Sequence, residues 1–214
     1  MDFEKCFESL PTSLCSHPSQ PLFAVGLVDG SVGVYNYKQD VAAGASEEAI
    51  TEVWLKKHKA AVRKVRTSTN GSSLLTITKN RALCLWDTET GSKKRCIRRS
   101  HDRSPYALCV MDENNIATGD EEGVVRLWDW RSQRPCIASM HDNSDYITDI
   151  AADPSRKTLL ATCGDGTLSA FSTSKRKLII QSEVMQSELL SIAIVLNGKQ
   201  KVFNFFFFVS PKIS

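Results

Sequence analysis

An all-β repeat fold, a β-propeller, is what this sequence predicts, and three observations carry the prediction. One phrase recurs four times: an apolar strand, an acidic or amide turn, a second apolar strand and a closing aromatic. The recurrence is periodic, because the closing aromatics Tyr35, Trp86, Trp128 and Phe171 are separated by 51, 42 and 43 residues. A period of roughly 40–45 residues is that of a four-stranded propeller blade. The turn residue, Asp29, Asn80, Glu122 or Asp165, lies six positions before the aromatic in every copy.

The elements follow in order. Residues 1–10 form an N-terminal segment in which Phe3 to Leu10 is a candidate closing strand for the ring. Repeats occupy 11–202. The first is LFAVGLVDGSVGVY (Leu22 to Tyr35), and the polar, Ala-rich stretch Gln39 to Ile50 after it reads as a surface insertion that lengthens the first step. LLTITKNRALCLWD (Leu74 to Asp87), NIATGDEEGVVRLWD (Asn115 to Asp129) and LLATCGDGTLSAF (Leu159 to Phe171) follow. LLSIAIVLNGKQKV (Leu189 to Val202) reads as the first strand of a fifth repeat, its turn and the onset of the next strand. Residues 203–214, FNFFFFVSPKIS, lack the turn acid and the closing aromatic. Two readings stand: an irregular edge strand on the last blade, or an aberrant tail foreign to the domain. The second is favoured, since a phenylalanine run is what thymine-rich non-coding sequence yields when translated. It leaves four repeats and the start of a fifth out of an expected seven. An arc of that kind opens apolar sheet faces or edges to water, and such surfaces bind partners or aggregate.

Composition places the chain among ordinary globular proteins: 214 residues, 42% hydrophobic, net charge +3. Its seven cysteines, Cys6, Cys15, Cys84, Cys96, Cys109, Cys136 and Cys163, are scattered singly with no C-x-x-C pair, so they read as small hydrophobes in a reduced compartment. The acidic start MDFEKCFESL does not read as a secretory signal, and no apolar run approaches the roughly 20 residues of a membrane span. There is no nucleophile elbow, phosphate-cradling glycine loop or zincin helix. The sequence therefore assigns no catalytic residue, metal, cofactor, small-molecule substrate or membrane contact, and a binding module is expected.

The period and the Trp-Asp endings at Trp86-Asp87 and Trp128-Asp129 resemble the WD-repeat family. The resemblance implies a polar network in each blade: a histidine before the first strand, a Ser/Thr on the second, the turn acid and the indole N–H. His58, His101 and His141 precede their aromatics by 28, 27 and 30 positions. The second repeat is expected to use His58, Thr78, Asn80 and Trp86, and the third His101, Asp120, Glu122 and Trp128. The fourth has His141 and Asp165, but Cys163 and Phe171 cannot supply hydroxyl and indole. The first lacks the network, since His17 precedes a proline and Asp29 has no obvious partner. A His, a hydroxyl and an acid together imitate a hydrolase triad. A triad would occur once, beside an oxyanion hole, whereas these sets recur at the repeat period and read as structural.

Within the family, SHPSQPLFAVGLVDGSVGVYNY (Ser16 to Tyr37), DENNIATGDEEGVVRLWDWR (Asp112 to Arg131) and HDNSDYITDIAADPSRKTLLATCGDGTLSAF (His141 to Phe171) resemble the group of WD repeat-containing protein 55. That likeness implies a nuclear, largely nucleolar protein with some cytoplasmic presence, linked to ribosomal RNA production and ribosome biogenesis. Trp128-Asp129-Trp130-Arg131 also fits the W-D-x-R signature of propellers that dock on the damaged-DNA-binding adaptor of cullin-4 ubiquitin ligases as substrate receptors. There the Arg, at a strand end on one rim, presents a planar fork that Lys cannot copy. The second repeat ends Trp86-Asp87-Thr88-Glu89 and lacks the Arg.

Basic residues cluster in three runs. They are Lys56, Lys57, Lys59, Arg63, Lys64 and Arg66; Lys93, Lys94, Arg95, Arg98 and Arg99; and Lys175, Arg176 and Lys177. The first is expected at an outer strand's end and beyond, the others on the connections to outer strands. Together they would form a discontinuous belt for ribosomal RNA or acidic pre-ribosomal proteins. The alternative is a solvated outer strand guarded against edge pairing. No aromatic ladder for stacking bases interleaves with the charge. The sequence reading is thus a non-enzymatic interaction scaffold, with direct RNA binding or a non-functional truncated isoform as alternatives.

Overall fold

In this computed structural model the described residues are 5–37, 50–196, 203–205 and 209–210. They contain four antiparallel four-stranded sheets. The first holds β1 (Pro11–Ser16), β2 (Leu22–Leu27), β3 (Ser31–Tyr37) and β4 (Ile50–Lys57), hydrogen-bonded in chain order. The second holds β5 (Val62–Thr67), β6 (Ser73–Thr78), β7 (Leu83–Asp87) and β8 (Lys93–Ile97). The third holds β9 (Pro105–Val110), β10 (Asn115–Asp120), β11 (Val125–Asp129) and β12 (Cys136–Met140). The fourth holds β13 (Ile147–Ala152), β14 (Thr158–Cys163), β15 (Leu168–Ser172) and β16 (Lys177–Gln181). Each recurring phrase is therefore the central hairpin of a sheet, strands two and three, and these are more buried than the fourth strand of each sheet.

The chain forms two compact units, Met1–Ser104 and Pro105–Ser214, each with two of the sheets. In the first, Leu22, Val34, Trp54, Val62, Val65, Leu74 and Trp86 share one core. In the second, Ala107, Ala117, Leu127, Ile147, Ile150, Leu159 and Phe171 do. Sheets within a unit approach through a glycine. A Cβ on Gly26 of β2 would meet Val62 Cγ1 at 2.4 Å, and one on Gly119 of β10 would meet Ile147 Cγ2 at 2.4 Å. Both glycines face the first residue of the next sheet's opening strand, where two sheet faces come closest.

A bulge opposes every closing aromatic. Between the third and fourth strands the register shifts at Val34/Tyr35, Leu85/Trp86, Leu127/Trp128 and Ala170/Phe171. The extra residue on the outer strand is Val53, Lys94, Ile137 or Ile179 in turn. The bulge bends the outer strand around the bulky ring and turns the extra side chain to a new direction.

Residues 5–10 form no strand. They lie against the first sheet, where Phe7 sets its edge on the Tyr35 ring, with centroids 5.6 Å apart, and Leu10 O accepts from Val28 N. The insertion lies outside the described residues except for Ile50, which opens β4. Past the fourth sheet, β17 (Glu188–Leu189) pairs with β20 (Val209–Ser210), and β18 (Ile194–Leu196) pairs with β19 (Phe203–Phe205). The expectation of seven single thiols needs one correction. Cys84 and Cys96 are direct cross-strand partners on β7 and β8 and are joined in a disulfide, a pairing that the twelve-residue separation does not announce but the hairpin register produces.

Candidate functional site

In the second sheet, Trp86 Nε1–H donates to Thr76 Oγ1 at 2.9 Å, and the same hydroxyl lies 3.0 Å from His58 Nε2. The hydroxyl accepts from the indole, and the direction of its bond with the imidazole follows the His58 tautomer. Burial, aided by the Lys93 charge, pushes His58 down to about 4, so it is neutral at physiological pH. The hydroxyl of the network is thus Thr76, not Thr78. Thr78 sits two residues on and serves the turn, donating to Asn80 Oδ1 at 2.6 Å and accepting from Ala82 N at 3.1 Å.

The third sheet repeats this displacement. Trp128 Nε1–H donates to Thr118 Oγ1 at 2.7 Å, while buried Asp120 closes the turn by accepting from Glu122 N and Val124 N, each at 3.0 Å. Asp120 is therefore the turn acid rather than the stand-in for a hydroxyl, and Glu122 is exposed. His101 is buried. A signal for Thr76 and Thr118 was present in the sequence. Each lies ten positions before a Trp, whereas Val25 and Ala161 hold that place before Tyr35 and Phe171. A threonine accompanies the aromatic that carries an N–H in need of an acceptor.

The fourth sheet departs further. His141 is exposed and lies 3.0 Å from Ser139 Oγ, away from Asp165. The buried polar side chain is Asn143, 28 positions before Phe171, as His58 is before Trp86. It donates to Gly123 O at 3.1 Å and accepts from Ser169 Oγ, and Gln181 Nε2 donates to Ser169 Oγ at 3.1 Å and Thr167 Oγ1 at 3.2 Å. Asp165 holds the turn through Thr167 N and Oγ1 and receives Ser144 Oγ. An amide thus replaces the imidazole, a substitution hidden by the nearby His141.

Carboxylates end three hairpins or strands, each drawn well below the ordinary carboxylate range. Asp29, expected to lack a partner, accepts from Lys57 Nζ at 2.9 Å and from Ser31 N and Oγ, and falls to about 2, chiefly through Lys57. Asp87 accepts from Thr90 N and Oγ1 and pairs with Lys94 Nζ at 3.0 Å, and also falls to about 2, the Thr90 amide being the first cause. Asp129 takes both arms of Arg131: Nε to Oδ1 at 3.0 Å and the terminal nitrogen to Oδ2 at 2.7 Å. That clasp is the main reason its carboxyl falls to about 2. The Arg131 fork is therefore spent on Asp129 rather than held out whole, yet its side chain remains 66% exposed.

The basic runs separate. Lys56 and Lys57 lie on the outer strand β4 and Lys59 in the loop beyond, but Arg63, Lys64 and Arg66 lie on β5, at the opposite edge of its sheet from β8. Lys93, Lys94 and Arg95 are on β8 itself; Lys93 Nζ sits 4.5 Å from the Trp86 ring, and Lys94 Nζ also reaches Ser72 O and Ser73 Oγ. Lys175 and Arg176 occupy the β15–β16 turn and Lys177 opens β16; Arg176 donates to Ile137 O at 2.9 Å. Alternation decides the division. The cations of β5 share a strand with buried Val62 and Val65, whereas those of β8 open a strand that is exposed at its start.

Four sheets of one pattern, two of them with the Trp–Thr hydrogen bond, set the frame for comparison with known proteins. Residues 134–172 match the WD40 family, described as "WD domain, G-beta repeat". The chain belongs to the WD-repeat family. The matched span runs from before the outer strand of one blade through β15 of the next, so a WD repeat and a blade are out of phase by one strand. The chain is similar to WD repeat-containing protein 55 of Pongo abelii, 36% identical over 194 residues, 90% of this chain and 49% of that protein. It is 34% identical over 194 residues to WD repeat-containing protein 55 of Homo sapiens, at the same coverage. To WD repeat-containing protein 55 of Arabidopsis thaliana it is 33% identical over 186 residues, 87% of this chain and 51% of that protein. The chain spans about half the length of these WD-repeat relatives. Among solved structures, Chaetomium thermophilum Sqt1 matches with a TM-score of 0.75 over 86% of this chain and 50% of that one; at 19% identity this concerns the fold alone. The four sheets are blades of a partial WD40 propeller.

Proposed function

We propose that this chain is a non-enzymatic WD-repeat scaffold of the nucleus and nucleolus, with some cytoplasmic presence. It serves ribosomal RNA production and docks on the damaged-DNA-binding adaptor of cullin-4 ligases. The observation that carries the docking is the Asp129–Arg131 clasp. Two parallel bonds fix the direction of an exposed guanidinium at the end of β11, so its remaining donors meet a partner with little ordering entropy left to lose. Trp128 anchors the strand from within through Thr118. The nucleolar role rests on the likeness to WD repeat-containing protein 55. Direct RNA binding through the outer belt is less favoured, because Lys57 and Lys94 are bonded to Asp29 and Asp87.

The test is co-purification with recombinant adaptor. Arg131→Ala should abolish recovery while the circular dichroism spectrum and melting curve stay unchanged. Arg131→Lys should restore little, because an ammonium cannot bind bidentately. Adaptor recovered undiminished with Arg131→Ala would overturn the docking.

A further inference from the structure

Blades three and four enclose a side cavity of about 210 Å³ lined by residues of both. Its floor is apolar: Met111, Ile116, Leu127 and Trp128, with Ile137 closing one side. Two local devices make it so. The Trp128 indole N–H is consumed by Thr118, leaving ring carbon toward the cavity, and the β12 bulge supplies Ile137 as its extra residue.

The mouth is polar, lined by Asp112, Asn115, Arg156, Thr173 and Ser174, and Arg176 lies beside it in the flanking turn. Arg156 and Arg176 both take left-handed backbone angles, φ 59° and 54°, which side-chain-bearing residues seldom adopt. Thr173 Oγ1 donates to Arg156 O at 2.9 Å, and Arg176 donates to Ile137 O at 2.9 Å, which ties both arginine turns to the cavity wall. The acid in the lining, Asp112, already accepts from Asn114 N, Asn115 N and Asn115 Nδ2. It meets Arg156 only loosely, at 3.9 Å, and the Arg156 side chain is 53% exposed. Lys157 and Lys175 are exposed next to the two arginines.

We propose that this cavity is a docking pocket for an acidic segment of a partner protein. The segment inserts one leucine- or phenylalanine-sized side chain and sets its flanking carboxylates on Arg156 and Arg176. The volume is below the ~300–1,000 Å³ of small-molecule sites and suits a single anchor side chain. Charge complementarity selects the acidic flanks. An apolar floor with a buried Trp128 offers no exposed ring on which a base could stack, which favours peptide over nucleic acid. Neither Asp129 nor Arg131 lines the pocket, which adjoins their clasp through Trp128 and Asp112.

The probe is a fluorescein-labelled peptide with one leucine flanked by glutamates, titrated against the full chain by fluorescence anisotropy. Binding is expected, weakening as salt rises. Replacing the peptide's leucine by alanine should weaken it about tenfold or more, and lysine flanks should remove it. Arg156→Glu, an exposed change, should remove binding with the melting curve unaltered. Absence of binding, or equal binding of the leucine and alanine peptides, would overturn the proposal without reference to any protein variant. A uridine oligonucleotide that binds while the peptide does not would reassign the surface to phosphate recognition.

Discussion

At the residue scale, the polar networks follow from what each closing aromatic demands. Trp86 and Trp128 each carry a buried N–H, and each has a threonine ten positions earlier; Tyr35 and Phe171 have Val25 and Ala161. Thr76→Val should therefore cost about 1–3 kcal/mol by orphaning the Trp86 N–H. Combining Thr76→Ala with Trp86→Phe, which copies the fourth blade, should cost less than the two singles summed, by ~1 kcal/mol. Strict additivity in denaturant unfolding would refute the pairing. His58 makes a prediction in pH. Its folded value is about 4 and its ordinary value 6.5, so between them the unfolded chain binds more protons. Its contribution is complete above pH 6.5 and is lost as pH falls toward 4. His58→Asn, which borrows the solution found at Asn143, should flatten that part of the stability–pH curve; an unchanged slope would assign the loss elsewhere. Asp29, Asp87 and Asp129 contribute stability above about pH 4 that is lost as pH falls toward 2.

At the element scale, the central hairpin turns all place one residue at positive φ five positions before the aromatic. Three are glycines, Gly30 at 93°, Gly123 at 79° and Gly166 at 91°, and the fourth is Arg81 at 69°. The glycines are held by more than φ. A Cβ on Gly30 would stand 2.7 Å from His58 O and one on Gly123 2.6 Å from Asn143 O, both backbone atoms that cannot swing away. Arg81 instead anchors the next loop, its carbonyl accepting from Ser100 N and Oγ and its guanidinium donating to Asp102 O. Gly30→Ala should destabilise by about 1–3 kcal/mol. Arg81→Gly should stay within about 1 kcal/mol of wild type, relief of strain being offset by a freer unfolded chain. Similar melting temperatures for Gly30→Ala and the parent would contradict this.

At the scale of the whole molecule, the outer strands leave apolar surface in water. Ile179 and Ile180 on β16 are 58% and 66% exposed, and Val184 close by is 67% exposed. Within its sheet β16 is the edge strand, with one row of backbone groups unpaired by that sheet. Concentration-dependent self-association is expected in light scattering, and Ile180→Lys should reduce it; identical association would place the contact elsewhere. How much of this was legible in the sequence depends on the range of the interaction. The strand–turn–strand phrase, the repeat number and the closing aromatics are set by neighbours along the chain, since alternation and turn chemistry act over a few residues. Sequence alone thus determined the all-β blade architecture and the place of the W-D-x-R box. Partners in the networks were decided by tertiary structure, because a hydrogen bond depends on which side chain points inward: Thr76 over Thr78, Asn143 over His141. The division of the basic run between β4 and β5, the Cys84–Cys96 pair and the Asp129 hold on Arg131 belong to the same class. Each brings together groups whose distance in space is set by register and packing, which spacing in sequence does not encode.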